Sequence, residues 1–269
     1  MYQDHWGLRE TPFRACHDPR FFHHSPTHEE ALARLNFLVE QHHRIGLLLG
    51  PQGSGKSLLL DIFCDQMRRG GATAAKINLL GLTSLDLFEQ LALALGLNLG
   101  RQPTIGAAWR AVTDHVLEGR FQQLDTVLLL DDADRAGAEV MTQLTRLAQF
   151  DMAAQSRLTI VLSSRRERAG TLGDGLLDLV DLRIELEPWE QTETEQYLQA
   201  SLAQAGCATP VFIPPAVVRL HQLAGGIPRR VRELADLSLL AGASDGLQQI
   251  DADVVESVHA QLSVGGMTR

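Results

Sequence analysis

The stretch Ile45–Leu60, IGLLLGPQGSGKSLLL, decides the fold. Ile45–Leu49 reads as a buried strand, and Ser57 onward reads as a helix. Between them stands Gly50-x-x-x-x-Gly55-Lys56-Ser57, the P-loop spacing in the strand–loop–helix setting that the motif requires. Glycines let backbone N–H groups turn inward around phosphate oxygens without a Cβ in the way. The helix that follows adds the positive end of its dipole. The expected phosphate-binding residues are Gly50, Pro51, Gln52, Gly53, Ser54, Gly55, Lys56, Ser57 and Leu58. Lys56 would reach the β- and γ-phosphates, and the Ser57 hydroxyl would bind Mg²⁺.

Working outward, four more short apolar strands are expected at Ala74–Asn78, Thr126–Asp131, Leu158–Ser163 and Leu182–Leu186. Helical patterns lie around them at Glu29–Glu40, Ser57–Arg69, Thr83–Leu95, Trp109–Gly119 and Glu139–Asp151, with Ser84 as the cap of the third. Strands alternating with helices predict an α/β fold with a mostly parallel sheet covered on both faces. After Pro188 only helices are expected, at Gln191–Ala205, Pro214–Leu223, Pro228–Leu240 and Ala252–Leu262. The resulting division is an N-terminal segment and helix over 1–44, a P-loop core over 45–188 and a helical domain over 189–269.

The chain has 269 residues, 45% of them hydrophobic, enough for a substantial core. Its net charge of −9 disfavours nonspecific binding to nucleic acid or to an anionic membrane. The first residues lack a basic and apolar leader, and no run approaches a membrane span. Cys16, Cys64 and Cys207 are far apart and read as free thiols in a reducing cytoplasm. His24 and His28 are four apart, but Pro26 lies between them, and a solvated surface is the simpler reading.

A second motif completes the first. Val127–Leu130 is an apolar strand that delivers Asp131 and Asp132 at its C-terminal edge, where ligands of open α/β sheets bind. Asp131 is the expected Mg²⁺ partner, and Asp132 the residue that orients and helps deprotonate the attacking water. The next strand ends in Ser163–Ser164; one of these hydroxyls could sense the γ-phosphate or the water, and Ser164 is preferred. No N-K-x-D guanine motif is present, which favours ATP over GTP.

Further segments carry a family resemblance. They are Tyr2-x-x-x-Trp6-Gly7-Leu8-x-x-x-Pro12-Phe13, Asp18-Pro19-Arg20-Phe21 and Ser25-Pro26-x-His28-x-x-Ala31-Leu32-x-x-Leu35. Leu158-x-Ile160-Val161-Leu162, Leu186-x-Pro188 and Gly225-Gly226-Ile227-Pro228-Arg229 extend it over nearly the whole chain. Together they resemble the ATPase domain of ExeA/GspA-type general secretion pathway proteins, to which MshM-like pilus biogenesis ATPases are similar. The resemblance implies an AAA+ fold of the ASCE division, with a five-stranded parallel sheet and a C-terminal helical lid. It implies that Arg229 is the lid arginine contacting the γ-phosphate, and that the chain forms homo-oligomers acting on an envelope secretion or pilus machine. On the residues alone, Arg229 falls in the first turn of a helix, where a cation opposes the dipole and wants an anionic partner.

Three departures matter. Asp132 stands where the family has Glu, one methylene longer, so hydrolysis is expected to be slow unless Asp134 compensates. Leu179 stands where the family often has an arginine finger; Arg165, Arg166 or Arg183 could substitute. Proteins of this type commonly continue into a transmembrane and peptidoglycan-binding region, and neither function is expected to carry over. Two other readings remain: a DNA-linked regulator like the TniB/TnsC transposition ATPases, drawing on Arg165-Arg166-x-Arg168 and Arg229-Arg230-x-Arg232, and a nucleotide-gated scaffold that hydrolyses weakly. The aromatics Trp6, Phe13, Phe21 and Phe22 are expected to pin the N-terminal segment by packing, with contact to adenine as the alternative.

Overall fold

A computed structural model describes residues 2–14, 22–207 and 209–265. The Asp18–Phe21 part of the resemblance, and Cys16, lie outside the described residues. The elements are α1 (Tyr2–Trp6), α2 (Pro26–Glu40), β1 (Ile45–Leu49), α3 (Lys56–Arg69), β2 (Thr73–Asn78), α4 (Ser84–Ala94), α5 (Ile105–Phe121), β3 (Thr126–Asp131), α6 (Ala138–Ala148), β4 (Leu158–Ser164), α7 (Asp174–Leu177), β5 (Leu182–Glu185), α8 (Gln191–Gln204), α9 (Pro214–Ala224), α10 (Pro228–Ser244) and α11 (Ala252–Gly265). The chain divides into two compact units. One comprises 27–51 and 56–186; the other comprises 1–26, 52–55 and 187–269.

The first unit is built on a five-stranded sheet in the order β2-β3-β4-β1-β5. Every pairing is parallel, as expected where each strand is followed by a crossover. One sheet face carries Leu47, Leu49, Ala75, Ile77, Leu128, Leu130, Ile160 and Leu162 into a common core with α4, α5 and α6. The other face receives α3, which packs on β2 and β3. At Gly46 a Cβ would lie 3.1 Å from the Leu38 methyls, so the glycine lets α2 approach β1 closely. The pleat therefore sorts residues by parity, and odd-numbered members of β3 and β4 share the α3 face. Asp131 and Ser163 are both on it.

Two local expectations are corrected. The cap of α4 is Thr83 and not Ser84: the Thr83 hydroxyl accepts from the Asp86 N–H, and the Asp86 carboxylate accepts from the Thr83 N–H, a closed capping box. Helix α5 begins at Ile105, one turn before Trp109, because the Thr104 hydroxyl accepts from the Ala107 N–H.

The second unit is helical. Its core gathers Trp6, Leu8 and Phe13 with Trp189, Tyr197, Phe212, Leu220, Leu234 and Ile250. The Trp6 indole N–H donates to the Leu239 carbonyl at 2.9 Å, and Gly242 leaves room for its ring. The Tyr2 hydroxyl donates to Asp236 at 2.9 Å; burial and that carboxylate push the phenol up to about 12. Packing thus accounts for Trp6 and Phe13. Cys64 in the first unit and Cys207 in the second are free and buried, and burial pushes the Cys64 thiol up.

The Gly225–Pro228 turn between α9 and α10 has a specific physical basis. Gly225 ends α9 at φ 61° and Gly226 follows at φ 66°, both in the left-handed region. A Cβ on Gly226 would lie 2.3 Å from the Trp189 carbonyl oxygen, while the Trp189 N–H donates to the Gly226 carbonyl at 2.8 Å. Pro228 then opens α10 with its φ already set. Gly226→Ala is therefore expected to destabilise the chain by about 2 kcal/mol or more, through both the backbone angle and the clash. Urea unfolding followed by tryptophan fluorescence checks this, and a midpoint equal to that of the parent would refute it.

Candidate functional site

Strand β1 is buried along its whole length and ends at the loop. Gly53 and Gly55 adopt φ 89° and 98°, conformations that a side chain resists. Helix α3 begins at Lys56, so the N–H groups of its first turn have no partner within the helix. Residues 52–55 belong to the helical unit, where the Arg229 N–H donates to the Gly53 carbonyl at 3.2 Å. A Cβ on Gly53 would lie 2.9 Å from Cβ of Arg229. Glycine is therefore required there both by backbone angle and by packing.

Lys56 is 8% exposed. Its Nζ turns back to donate to the Gly50 carbonyl at 2.8 Å and the Pro51 carbonyl at 3.0 Å. Burial holds its pKa below the ordinary lysine value, while the carboxylates of Asp131, Asp132, Asp134 and Glu167 work the other way. The ammonium has lost water and gained only neutral acceptors at hydrogen-bond distance. An incoming polyanion would relieve that cost.

Asp131, 3% exposed, is gripped on one side only. Its Oδ1 accepts from the Ser163 hydroxyl and, at 3.1 Å, from the Asp132 N–H. Its Oδ2 has the Lys76 Nζ at 4.0 Å, beyond hydrogen-bond distance. Asp132 sits at φ 55°, in the left-handed region that Asp tolerates better than most residues. Its N–H also donates to the Ser163 hydroxyl at 3.0 Å, and its Oδ2 accepts from the Asn78 amide at 3.1 Å.

These contacts alter several sequence-level expectations. The hydroxyl on Asp131 is that of Ser163; the Ser164 hydroxyl instead donates to the Arg165 carbonyl at 3.0 Å. Strand parity carries this signal, since Leu130 is level with Leu162. Asp134 is buried and clamped by the Arg165 guanidinium at 2.7 and 2.6 Å, so it is not a spare base. The same contact removes Arg165 as an exposed finger, and Arg166 pairs with Glu185. Leu179 packs against the core of the sheet unit. Arg229 lies in the first turn of α10, is exposed and forms no ion pair among the described residues. Asn78 and Lys76 also belong to this group; their signal in the sequence is that polar residues alternate with buried Ala75 and Ile77 in β2, TAAKIN.

Comparison with known proteins follows from this geometry. Residues 39–172 match the AAA domain family. The chain is 28% identical over 268 residues to General secretion pathway protein A of Aeromonas hydrophila, covering 98% of this chain and 48% of that protein. It therefore spans about half the length of that curated relative. Among solved structures it resembles the Thermotoga maritima RuvB Holliday junction branch migration motor, with TM-score 0.60, 16% identity, and coverage of 90% of this chain and 70% of that one. It also resembles the Aeropyrum pernix ORC1 protein solved in complex with DNA, with TM-score 0.64, 17% identity, and coverage of 88% and 66% respectively. At these identities the solved structures bear on fold alone.

The depressed pKa of Lys56 has a measurable consequence. A group that binds protons more weakly when folded takes them up on unfolding. Stability must therefore rise with pH in the alkaline range just below the ordinary value of 10.5. In Lys56→Met this component should vanish, and the ligand-free chain should be more stable than the parent at neutral pH. Urea titrations at pH 7 and pH 9.5 test this; identical pH slopes for the two proteins would rule it out.

Proposed function

We propose, from the premise that this chain is an AAA+ P-loop NTPase related to General secretion pathway protein A, that it binds ATP with Mg²⁺ at residues 50–58 and hydrolyses it. The observation that carries this reading is the desolvated Lys56 ammonium held by the carbonyls of Gly50 and Pro51. Lys56 would exchange those carbonyls for β- and γ-phosphate oxygens, with the loop amides and the first turn of α3 around them.

The donors fit a hard divalent ion. Asp131 keeps one carboxylate oxygen outside its hydrogen bonds, and Ser57 supplies a hydroxyl at the start of α3. Among the described residues no cluster of three or more His, Cys, Asp or Glu could hold a metal by itself. That suits Mg²⁺, which keeps waters and substrate phosphates alongside one or two protein ligands. When bound, Mg²⁺ neutralises charge on the phosphates.

Asp132 is proposed to orient the attacking water and accept its proton. The Asn78 amide and the Ser163 hydroxyl hold Asp132 in its left-handed turn. Its side chain is one methylene shorter than the Glu of the family pattern, so slow turnover is part of the proposal. Arg229 is proposed to contact the γ-phosphate; its support is its place beside Gly53, where its N–H is bonded to the loop. Ser163, whose hydroxyl donates to Asp131, is proposed to act here ahead of Ser164, whose hydroxyl donates to the Arg165 carbonyl.

We further propose homo-oligomeric assembly at the cytoplasmic side of an envelope secretion or pilus machine. The relative's secretion role supports this, and no described helix is long and apolar enough to cross a membrane. The DNA-linked reading loses ground, since Arg165 and Arg166 of its basic cluster are committed to Asp134 and Glu185.

Calorimetric titration with ATP and Mg²⁺ is the primary test. Lys56→Ala should lose measurable binding; unaltered affinity would end this reading. Phosphate release separates the site roles. Ser163→Ala is expected to lower turnover about 10–100-fold with nucleotide affinity retained. Ser164→Ala should change it less, and the reverse ranking would restore Ser164. If Asp132→Glu turns over while the parent does not, the chain is a nucleotide-gated scaffold.

A further inference from the structure

We propose that Lys76 is a positioning residue for the divalent ion of this site, an inference that rests on the ATP–Mg²⁺ reading above. Lys76 is the one cation on β2, an edge strand that pairs only with β3. Its side chain, 18% exposed, lies on the sheet face covered by α3. Nζ donates to the Ser57 carbonyl at 2.7 Å, pairs with Asp61 at 2.6 Å, and stands 4.0 Å from Oδ2 of Asp131.

Two of those three neighbours are the residues that would hold the ion. Ser57 would supply its hydroxyl, and Lys76 holds the Ser57 backbone. Asp131 would supply Oδ2, and Lys76 is the cation facing that oxygen. Lys56 is no substitute, because its own Nζ is spent on the Gly50 and Pro51 carbonyls, on the phosphate side. A single ammonium thus holds the first turn of α3 and faces the end of β3, across the gap the ion would bridge.

Simple repulsion would predict that a nearby ammonium weakens cation binding. Asp61 changes that balance. At 2.6 Å its carboxylate largely cancels the lysine charge as seen from the ion, so geometry outweighs repulsion. A lysine that merely stapled β2 to α3 would affect stability alone. One that sets the spacing of two ligands affects the Mg²⁺ requirement at unchanged affinity for the nucleotide itself.

The test uses the full chain and a fluorescent, non-hydrolysable ATP analogue, titrated with Mg²⁺ and, separately, in EDTA. In Lys76→Met the Mg²⁺ half-saturation point is expected to rise about 10–100-fold, the usual cost of losing a partner behind a metal ligand. Affinity in EDTA should stay within about 3-fold, since the phosphate loop is untouched. Asp61→Asn keeps the lysine but removes its counter-charge. It should shift the Mg²⁺ requirement in the same direction and keeps the idea testable should the methionine variant fail to fold. A half-saturation point that stays put, or falls, in a folded variant overturns the role of Lys76. If the parent shows no Mg²⁺-dependent binding at all, the nucleotide reading falls first and takes this inference with it.

Discussion

An ammonium group kept away from water at the end of a buried strand sets the terms for the candidate site. Lys56 is stable there only because β1 stops at Leu49 and the loop carbonyls of Gly50 and Pro51 turn toward it. Those carbonyls are available because Gly53 and Gly55 take up backbone angles that no other residue adopts cheaply. The loop, the helix start and the buried charge are therefore one constraint. A site that holds its cation in a poorly solvated state before the ligand arrives has already met part of the cost of binding a polyanion.

The sheet supplies the opposite charge by geometry. In a parallel sheet, alternate residues of neighbouring strands share a face, so a residue at the end of β3 meets its level partner on β4. That rule brings Asp131 to Ser163, and it places Lys76 and Asn78 of β2 on the same side. Four polar side chains converge on one face, while the other face of the same strands carries the apolar residues of the core under α4, α5 and α6. The polar groups at this end of the sheet are tolerable because each has a partner: Asp131 with Ser163, Asp132 with Asn78, Asp134 with Arg165, Lys76 with Asp61.

How much of this was legible in the sequence depends on the range of the interaction. The P-loop and the five strands could be read because they are written in contiguous residues: glycines at fixed spacing and short apolar runs bounded by turns. Which serine reaches Asp131 cannot be read locally, since it depends on register with a strand some thirty positions away, and the register puts Ser163 there. Asp134 reads as a spare carboxylate from its neighbours in sequence, and its clamp, Arg165, lies just past the far end of the next strand. Thr83 and Ser84 are both good caps by chemistry, and only the reciprocal bond to Asp86 separates them. The alternation at Lys76 does not by itself mark a site, because a lysine in a short edge strand normally serves only to keep the edge soluble.

The short Asp132 side chain is best understood through its surroundings. A glutamate in its place would extend one methylene further from a backbone already in the left-handed region, where Asp is favoured over longer side chains. Asp132 draws its N–H onto Ser163 and its carboxylate onto Asn78, so the turn and the side chain are held by the same two neighbours that frame Asp131. The shorter acid therefore exchanges reach for a fixed position. Whether fixed position offsets reach is a question of where a water sits relative to the γ-phosphate. Misplacement by about 1 Å can cost about 10²-fold in rate. The pairing of Asp132 with Asn78 puts the answer in the hands of the edge strand, the same strand whose lysine faces Asp131.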